Sequence, residues 1–229
     1  MKKILSFVAF LAISAGAFAQ DNSFLAINSD NEMHALRFFD HFGVGFTSPI
    51  GDNLYTKHTG LTKNNEAFLN LVTYKFMPSE NSTFSLGVDL DWDRYTLDKE
   101  YYFDYQNGAL KVGQTDPIIS NLKKNWFDKF SIQLPLDYTL SFGPAALTVG
   151  ASAEFNLPGY CRLQGDSPAA ADKYNYKYKG IKVNPFTANV HAAFTIFHVG
   201  VYARYNPMKV MNEDQGPEFT TWTVGIILK

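Results

Sequence analysis

The chain has 229 residues, with 20 Lys and Arg against 22 Asp and Glu, for a formal net charge of −2 at neutral pH. That balance, with no basic run anywhere, excludes a nucleic-acid partner, and a single cysteine, Cys161, excludes an intramolecular disulfide. Apolar residues make up 46% and aromatic residues 16%, with 13 Tyr and 20 Phe. Beyond the amino-terminal segment no run of about 18 apolar residues exists to form a transmembrane helix.

Residues 1–19 read as a cleaved export signal. Lys2 and Lys3 give the positive start, an apolar stretch runs from Ile4 to Ile13, and Ala17-Phe18-Ala19 forms an A-x-A cleavage site before Gln20. The apolar stretch is too short to span a bilayer as a helix, and no cysteine follows the site to carry a lipid anchor. Removing Lys2 and Lys3 leaves 18 basic against 22 acidic residues, so −2 becomes −4. A mature chain of about 210 residues suits one all-β domain. The expected division is a signal peptide at 1–19, a short periplasmic tail at 20–34 and a barrel at 35–229.

In chain order, Leu36 to Thr47 and Ala67 to Met77 are weak strand matches. In the second, Leu69 and Leu71 oppose Phe68 and Val72, so polarity does not assign its faces; Phe68, Tyr74 and Phe76 are expected to face outward, which puts Asn70 outward too. From Thr83 to Tyr95, Phe84, Leu86, Val88, Leu90 and Trp92 alternate with Ser85, Gly87, Asp89, Asp91 and Asp93. Trp126 to Phe142 sets Phe130, Ile132, Leu134, Leu136 and Leu140 against Lys129, Ser131, Gln133, Asp137 and Thr139. Ala145 to Leu157 opposes Leu147, Val149 and Phe155 to Thr148, Ser152 and Glu154. Phe186 to Ile196, Val199 to Tyr205 and Thr220 to Leu228 repeat the pattern. Alternation over so many residues is a strand signal, and it gives eight strands.

The connections alternate long and short. The short ones fall at Pro78-Ser79-Glu80-Asn81, at Gly143-Pro144 and around Phe197-His198, and the others run from a dozen to nearly thirty residues. Long loops at one end and tight turns at the other are how outer-membrane barrels are built. Six segments approach or exceed the 9–11 residues a membrane-crossing strand needs. Aromatic residues gather toward the strand ends as interfacial girdles do: Trp92, Trp126, Phe155, Phe186, Tyr205 and Trp222 at the long-loop end, Phe84, Tyr138, Phe142 and Phe194 at the other. The expected fold is all-β, an eight-stranded antiparallel up-and-down transmembrane barrel with long extracellular loops. The alternative is a soluble periplasmic, lipocalin-like barrel binding an apolar ligand, with its apolar face turned inward.

The A-x-A site followed by Gln20, the eight-strand pattern and the final amphipathic strand Thr220-Thr221-Trp222-Thr223-Val224-Gly225-Ile226-Ile227-Leu228-Lys229 resemble the small outer-membrane β-barrel proteins of the Bacteroidota (PorT-like). The resemblance covers nearly the whole mature chain and carries no single activity. Members usually end on an aromatic residue read by the barrel-assembly machinery, where this chain has Leu228-Lys229. The resemblance implies a Gram-negative outer membrane as location, with outer-membrane lipid and the barrel-assembly machinery as partners.

Asp89-x-Asp91-x-Asp93 with Glu100 at the twelfth position has the spacing of a calcium loop. Arg94, however, stands where the sharp turn needs glycine, and alternation puts the three acids on the lumen wall about 7 Å apart. Such charges need cations in a barrel whose interior side chains fill. The expected interior network is Asp89, Asp91, Asp93, Lys129, Asp137, Glu154, His191 and Arg204, with no metal and no cofactor. A lipid A-modifying enzyme would use a His with Ser and a carboxylate near the membrane rim. His191 is expected near Thr187, Asn189 and Glu154, but no such set appears at recognisable spacing, so no catalytic residue is assigned.

In the loops, Tyr101-Tyr102-Phe103-Asp104-Tyr105 leads through Gln106-Asn107-Gly108 to Ala109-Leu110-Lys111-Val112, a strong hairpin signal. Tyr174, Tyr176 and Tyr178 alternate with Asn175, Lys177 and Lys179 like a strand continuing above the membrane. Tyr101, Tyr102, Tyr105, Tyr174, Tyr176 and Tyr178 form a candidate surface for an extracellular glycan or protein, since Tyr offers wide contact with a polar tip. The expected role is structural or surface-interactive; a wide pore does not fit eight strands.

Overall fold

A computed structural model describes residues 23–29, 32–59, 63–115, 120–166, 173–212 and 214–229; the signal assigned to 1–19 lies outside them. Thirteen strands and one short helix are present among these residues. In chain order they are β1 Ser23–Ser29, β2 Glu32–Phe38, β3 Phe42–Ile50, α1 Leu54–Lys57, β4 Asn65–Ser79, β5 Ser82–Thr96, β6 Tyr101–Gln106 and β7 Ala109–Gln114. They continue as β8 Ser120–Phe142, β9 Ala145–Asp166, β10 Lys173–Ile181, β11 Phe186–Ile196, β12 Val199–Asn206 and β13 Thr220–Leu228.

Eight of the strands close a ring. The order β4-β3-β13-β12-β11-β9-β8-β5 returns to β4 through the β4–β5 pairing, and every pairing is antiparallel. Closure removes every free edge from the ring, which is what lets strands cross lipid. The tight turns at Glu80-Asn81, Gly143-Pro144 and Phe197-His198 all lie at one end, and Gly143 there takes a φ of 61° that its missing Cβ allows.

The wall has a polar inside and an apolar outside. Asp89, Asp91 and Asp93 on β5, Gln133 on β8 and Glu154 on β9 are buried, while Leu90, Leu134, Leu136, Val149 and Phe155 on the same strands are exposed. A soluble barrel would have these reversed. The apolar outer band between two aromatic rims is the wall of a transmembrane barrel. At the long-loop rim Phe155 and Phe186 pack edge-on with centroids 5.6 Å apart, and Trp92 stacks on Phe130 at 6.4 Å. At the opposite rim Phe84 meets Tyr138 at 4.8 Å.

The first barrel strand differs from its sequence reading. Leu36 to Thr47 is not one strand: it breaks at Phe39, whose φ is 53°, into β2 and β3. β2 pairs with the lower half of β4 and β3 with its upper half, while β1 adds to the other edge of β2, outside the ring. Residues 23–29, read as part of a tail, are therefore a strand.

The facing of β4 is also corrected. Register against β5 shifts between Asn70 and Val72, a bulge that reverses which side chains point inward. Above it Glu66, Phe68 and Asn70 are buried in the lumen; below it Thr73 is inside and Tyr74 is exposed outside. Tyr74 faces outward as expected, but Phe68 does not, and Asn70 is no flaw. The Phe68 ring lies over Gly43, where a Cβ would meet Phe68 Cζ at 2.3 Å.

Strand lengths are unequal. β8 and β9, with 23 and 22 residues, extend about 75 Å along their length, far more than a bilayer crossing uses. Their upper halves stand above the membrane, where β10 takes the place of β11 beside β9.

Candidate functional site

Ion pairs and hydrogen bonds in the lumen join several of the residues singled out by alternation to others that were not. Lys129 on β8 reaches Asp93 at 2.9 Å and Glu154 at 3.2 Å. Glu154 also accepts hydrogen bonds from Thr187 Oγ1 (2.7 Å) and Asn189. Arg204 on β12 contacts Asp91 at 3.2 Å and Glu66 at 2.8 Å, and its guanidinium lies 4.8 Å from the Phe68 ring centre. Tyr202 and Thr223 donate to Glu66. Lower down, His41 lies 3.2 Å from Asp89, which also accepts from Asn70 Nδ2 at 2.7 Å.

His191 and Asp137 form a separate pair at 2.7 Å, with Asn189 as the other neighbour of the imidazole. All eight predicted residues therefore face the lumen, in two groups. Lys129, Asp93, Glu154, Arg204 and Asp91 interlock in the upper half; Asp89 and the His191–Asp137 pair lie below. Among the described residues no group of three His, Cys, Asp or Glu side chains is arranged to hold a metal ion, and Glu100 lies past the end of β5.

Sequence reasoning missed Glu66 and His41. Glu66 sits on the stretch whose face the bulge obscured, and His41 sits in the β2–β3 break. Gly43 was the available signal, since a glycine in a strand marks the close approach of another group.

A void of about 30 Å³ lies among His41, Asp89, Asp137, His191, Arg204 and Lys229, room for about one water. Lys229 Nζ donates to Thr148 Oγ1 at 2.9 Å across the tight-turn end.

The long-loop end is closed by an apolar core that nothing in the sequence announced. Tyr55, Tyr95, Phe103, Leu110, Phe127, Cys161, Ile181, Val210, Met211 and Phe219 are buried together there. They come from α1, the upper end of β5, the β6–β7 hairpin, the raised parts of β8 and β9, the end of β10 and the segment before β13. The hairpin turns through Asn107 and Gly108, with φ of 54° and 84°, as a two-residue turn of the I′ kind requires. Asn125 on β8 ties it down, accepting from Phe103 N (3.0 Å) and donating to Tyr101 O (2.7 Å).

Much of the candidate tyrosine surface belongs to this cap. Tyr101, Tyr105 and Tyr178 pack against the core, Tyr101 stacks on His58, and Tyr178 donates to Asp104 at 3.3 Å. Tyr102 is half-buried, lying over Gly113, and Tyr176 is exposed. The Tyr174 side chain lies outside the described residues.

Cys161 is fully buried in the cap, and burial, reinforced by Asp128 and Asp104, pushes its thiol up to about 12. The thiolate is the nucleophile, so maleimide at pH 8 should label folded protein negligibly and urea-unfolded protein fully. Rapid labelling of the folded chain would show that the cap is not closed.

A closed ring of eight antiparallel strands, ion-paired within and apolar without, defines a small transmembrane β-barrel. No protein-family model matches the chain, and no curated protein does either. Among solved structures it is similar to Neisserial surface protein A, at 11% identity and a TM-score of 0.35, over 89% of this chain and 99% of that one. It is also similar to Ail, the attachment invasion locus protein of Yersinia pestis, solved with the heparin analogue sucrose octasulfate. That match has 12% identity and a TM-score of 0.33, over 87% of this chain and 99% of that one. LpxR from Salmonella typhimurium matches at 10% identity and a TM-score of 0.27, over 89% of this chain and 86% of that one.

Proposed function

We propose that the chain is an exported outer-membrane protein of the PorT-like Bacteroidota type, in which a sealed barrel anchors a rigid surface structure that contacts a partner outside the cell. The observation that carries this reading is closure at both levels. The lumen is filled by paired charges around Lys129 and Arg204, and the apolar core seals the long-loop end. A barrel so filled is a plug rather than a wide channel, which leaves the raised β8–β10 strands and the β6–β7 hairpin as the parts that meet the surroundings. Their partner is an extracellular glycan or protein, with Tyr176 and the outer faces of Tyr101, Tyr102, Tyr105 and Tyr178 in contact. The interior network of Asp89, Asp91, Asp93, Lys129, Asp137, Glu154, His191 and Arg204 serves as a structural plug.

The test is to express the full chain, isolate outer membranes and run the protein on a gel with and without boiling. The expected result is a heat-modifiable band in that fraction, because the closed barrel resists detergent until heated. Recovery in the soluble periplasm would overturn the reading.

A further inference from the structure

The outer face of the raised sheet carries charges the lumen network does not use. Cross-strand partners share a face, and here the alternate positions Tyr95, Phe127 and Cys161 are buried in the cap, and Leu163 is buried as well. The residues between them therefore face away from it. One row reads Thr96, Trp126, Arg162, Lys177 across β5, β8, β9 and β10; the row below reads Arg94, Asp128, Tyr160, Lys179. Lys124 stands one step above Trp126, with its ammonium 5.9 Å from that ring. Neighbouring strands lie about 4.8 Å apart, and alternate residues about 7 Å apart along a strand. Arg162, Lys177, Lys179 and Lys124 thus share a patch about 17 Å across its longest diagonal, on a chain whose net charge is negative.

The acids on this face are already taken. Asp128 holds Arg94 through two hydrogen bonds of 2.7 and 2.9 Å, with the guanidinium between the Trp92 and Trp126 rings at 4.7 and 4.5 Å. Asp166 pairs with Lys123. Among the described residues Arg162, Lys177 and Lys179 form no ion pair. Trp92 Nε1, Trp126 Nε1 and Arg162 Nε are buried there without an acceptor, and further up β9 the acceptors Gln164 Oε1 and Asp166 Oδ1 are buried without a donor. Buried donors left unpaired are costly, and a set of donors beside unpaired cations calls for an anion.

Position supplies the rest. Trp92 and Trp126 mark the long-loop rim, and directly below them on the same face lie Leu90, Phe130, Ile132, Phe155 and Leu157, all exposed. A ligand held here has its anionic group against the cations and its apolar part against the wall. We propose that this face binds the phosphate groups of a phosphorylated glycolipid in the outer leaflet, with Arg162, Lys177, Lys179 and Lys124 as the phosphate contacts and the Trp92 and Trp126 indoles as neutral donors. The proposal rests on the outer-membrane reading above.

The experiment uses the full-length barrel in detergent, with its heat-modifiable band as an independent check of the fold. The probes are bisphosphorylated lipid A, the same lipid A after phosphatase treatment, and a sulfated heparin oligosaccharide. Wild type should bind the phosphorylated lipid A about tenfold more tightly than the dephosphorylated form, the order expected for a few charge-assisted hydrogen bonds. R162Q with K177Q and K179Q should lose that preference while keeping the heat shift. K177E with K179E, confined to exposed side chains, should lose it as well and covers the case in which the triple variant fails to fold. Equal binding of the two lipids, or an undiminished preference in the folded variants, would overturn the proposal. So would tighter binding of the sulfated oligosaccharide than of lipid A, which would make the occupant a soluble glycan. Loss of the heat shift in wild type would instead strike the barrel reading itself.

Discussion

Lys129→Met is expected to destabilise the barrel by about 3–5 kcal/mol, the range for removing one partner from a buried ion pair. Lys129 stands between Asp93 and Glu154, and the two carboxylates do not lose equally. Glu154 keeps its hydrogen bonds from Thr187 and Asn189, whereas Asp93 has no second cation among the described residues. Among the described residues, Glu66, Asp91, Asp93 and Glu154 share only Lys129 and Arg204 in the upper lumen, so the loss leaves four acids to one cation. Urea unfolding of the vesicle-inserted protein, followed by tryptophan fluorescence, measures the cost. Adding Asp93→Asn to Lys129→Met should restore a large part of it, because the uncompensated charge is what destabilises. A cost below about 1 kcal/mol for Lys129→Met would mean that water reaches the pair and the lumen is not packed.

Leu134→Arg is expected to cost about 2–4 kcal/mol in lipid, as an arginine does on the lipid face near the bilayer midplane. Leu134 lies on β8 midway between Trp126 and Phe142 and is exposed. Its location separates the two possible settings of the fold. At a water-exposed site the same substitution should stay within about 0.5 kcal/mol. The measurement is again urea unfolding from vesicles. An indifferent Leu134→Arg beside a costly Lys129→Met would describe a well-packed barrel standing in water.

The ring was legible because its two signals survive without any knowledge of contacts. Period-two alternation placed Asp89, Lys129, Glu154, His191 and Arg204 on one face, and loop lengths placed that face inside. What failed was phase. The bulge near Leu71 reverses the facing of half of β4, and a rule that counts by twos cannot see a single added residue; hence Phe68 was misplaced and Glu66 overlooked. The break at Phe39 escaped for the same reason. The cap was invisible for another. Tyr55, Phe103, Cys161 and the pair Met211 and Phe219 come from four distant parts of the chain with no shared periodicity, and only the folded chain brings them together. Tyr101, Tyr105 and Tyr178 therefore looked like free surface when they are largely packing.

The ring closes where β3 meets β13, a junction in which Thr47 and Thr223 share a hydrogen bond across 176 positions of sequence. Each other junction of the ring joins strands much nearer in sequence. β8 and β9 meet across only the Gly143-Pro144 turn and pair along nearly their whole length. Since chain closure over long separations is slow, this barrel should assemble as a curled sheet that grows from the β8–β9 hairpin. Its last and slowest step is then the seam, which stays open until the final strand has been delivered.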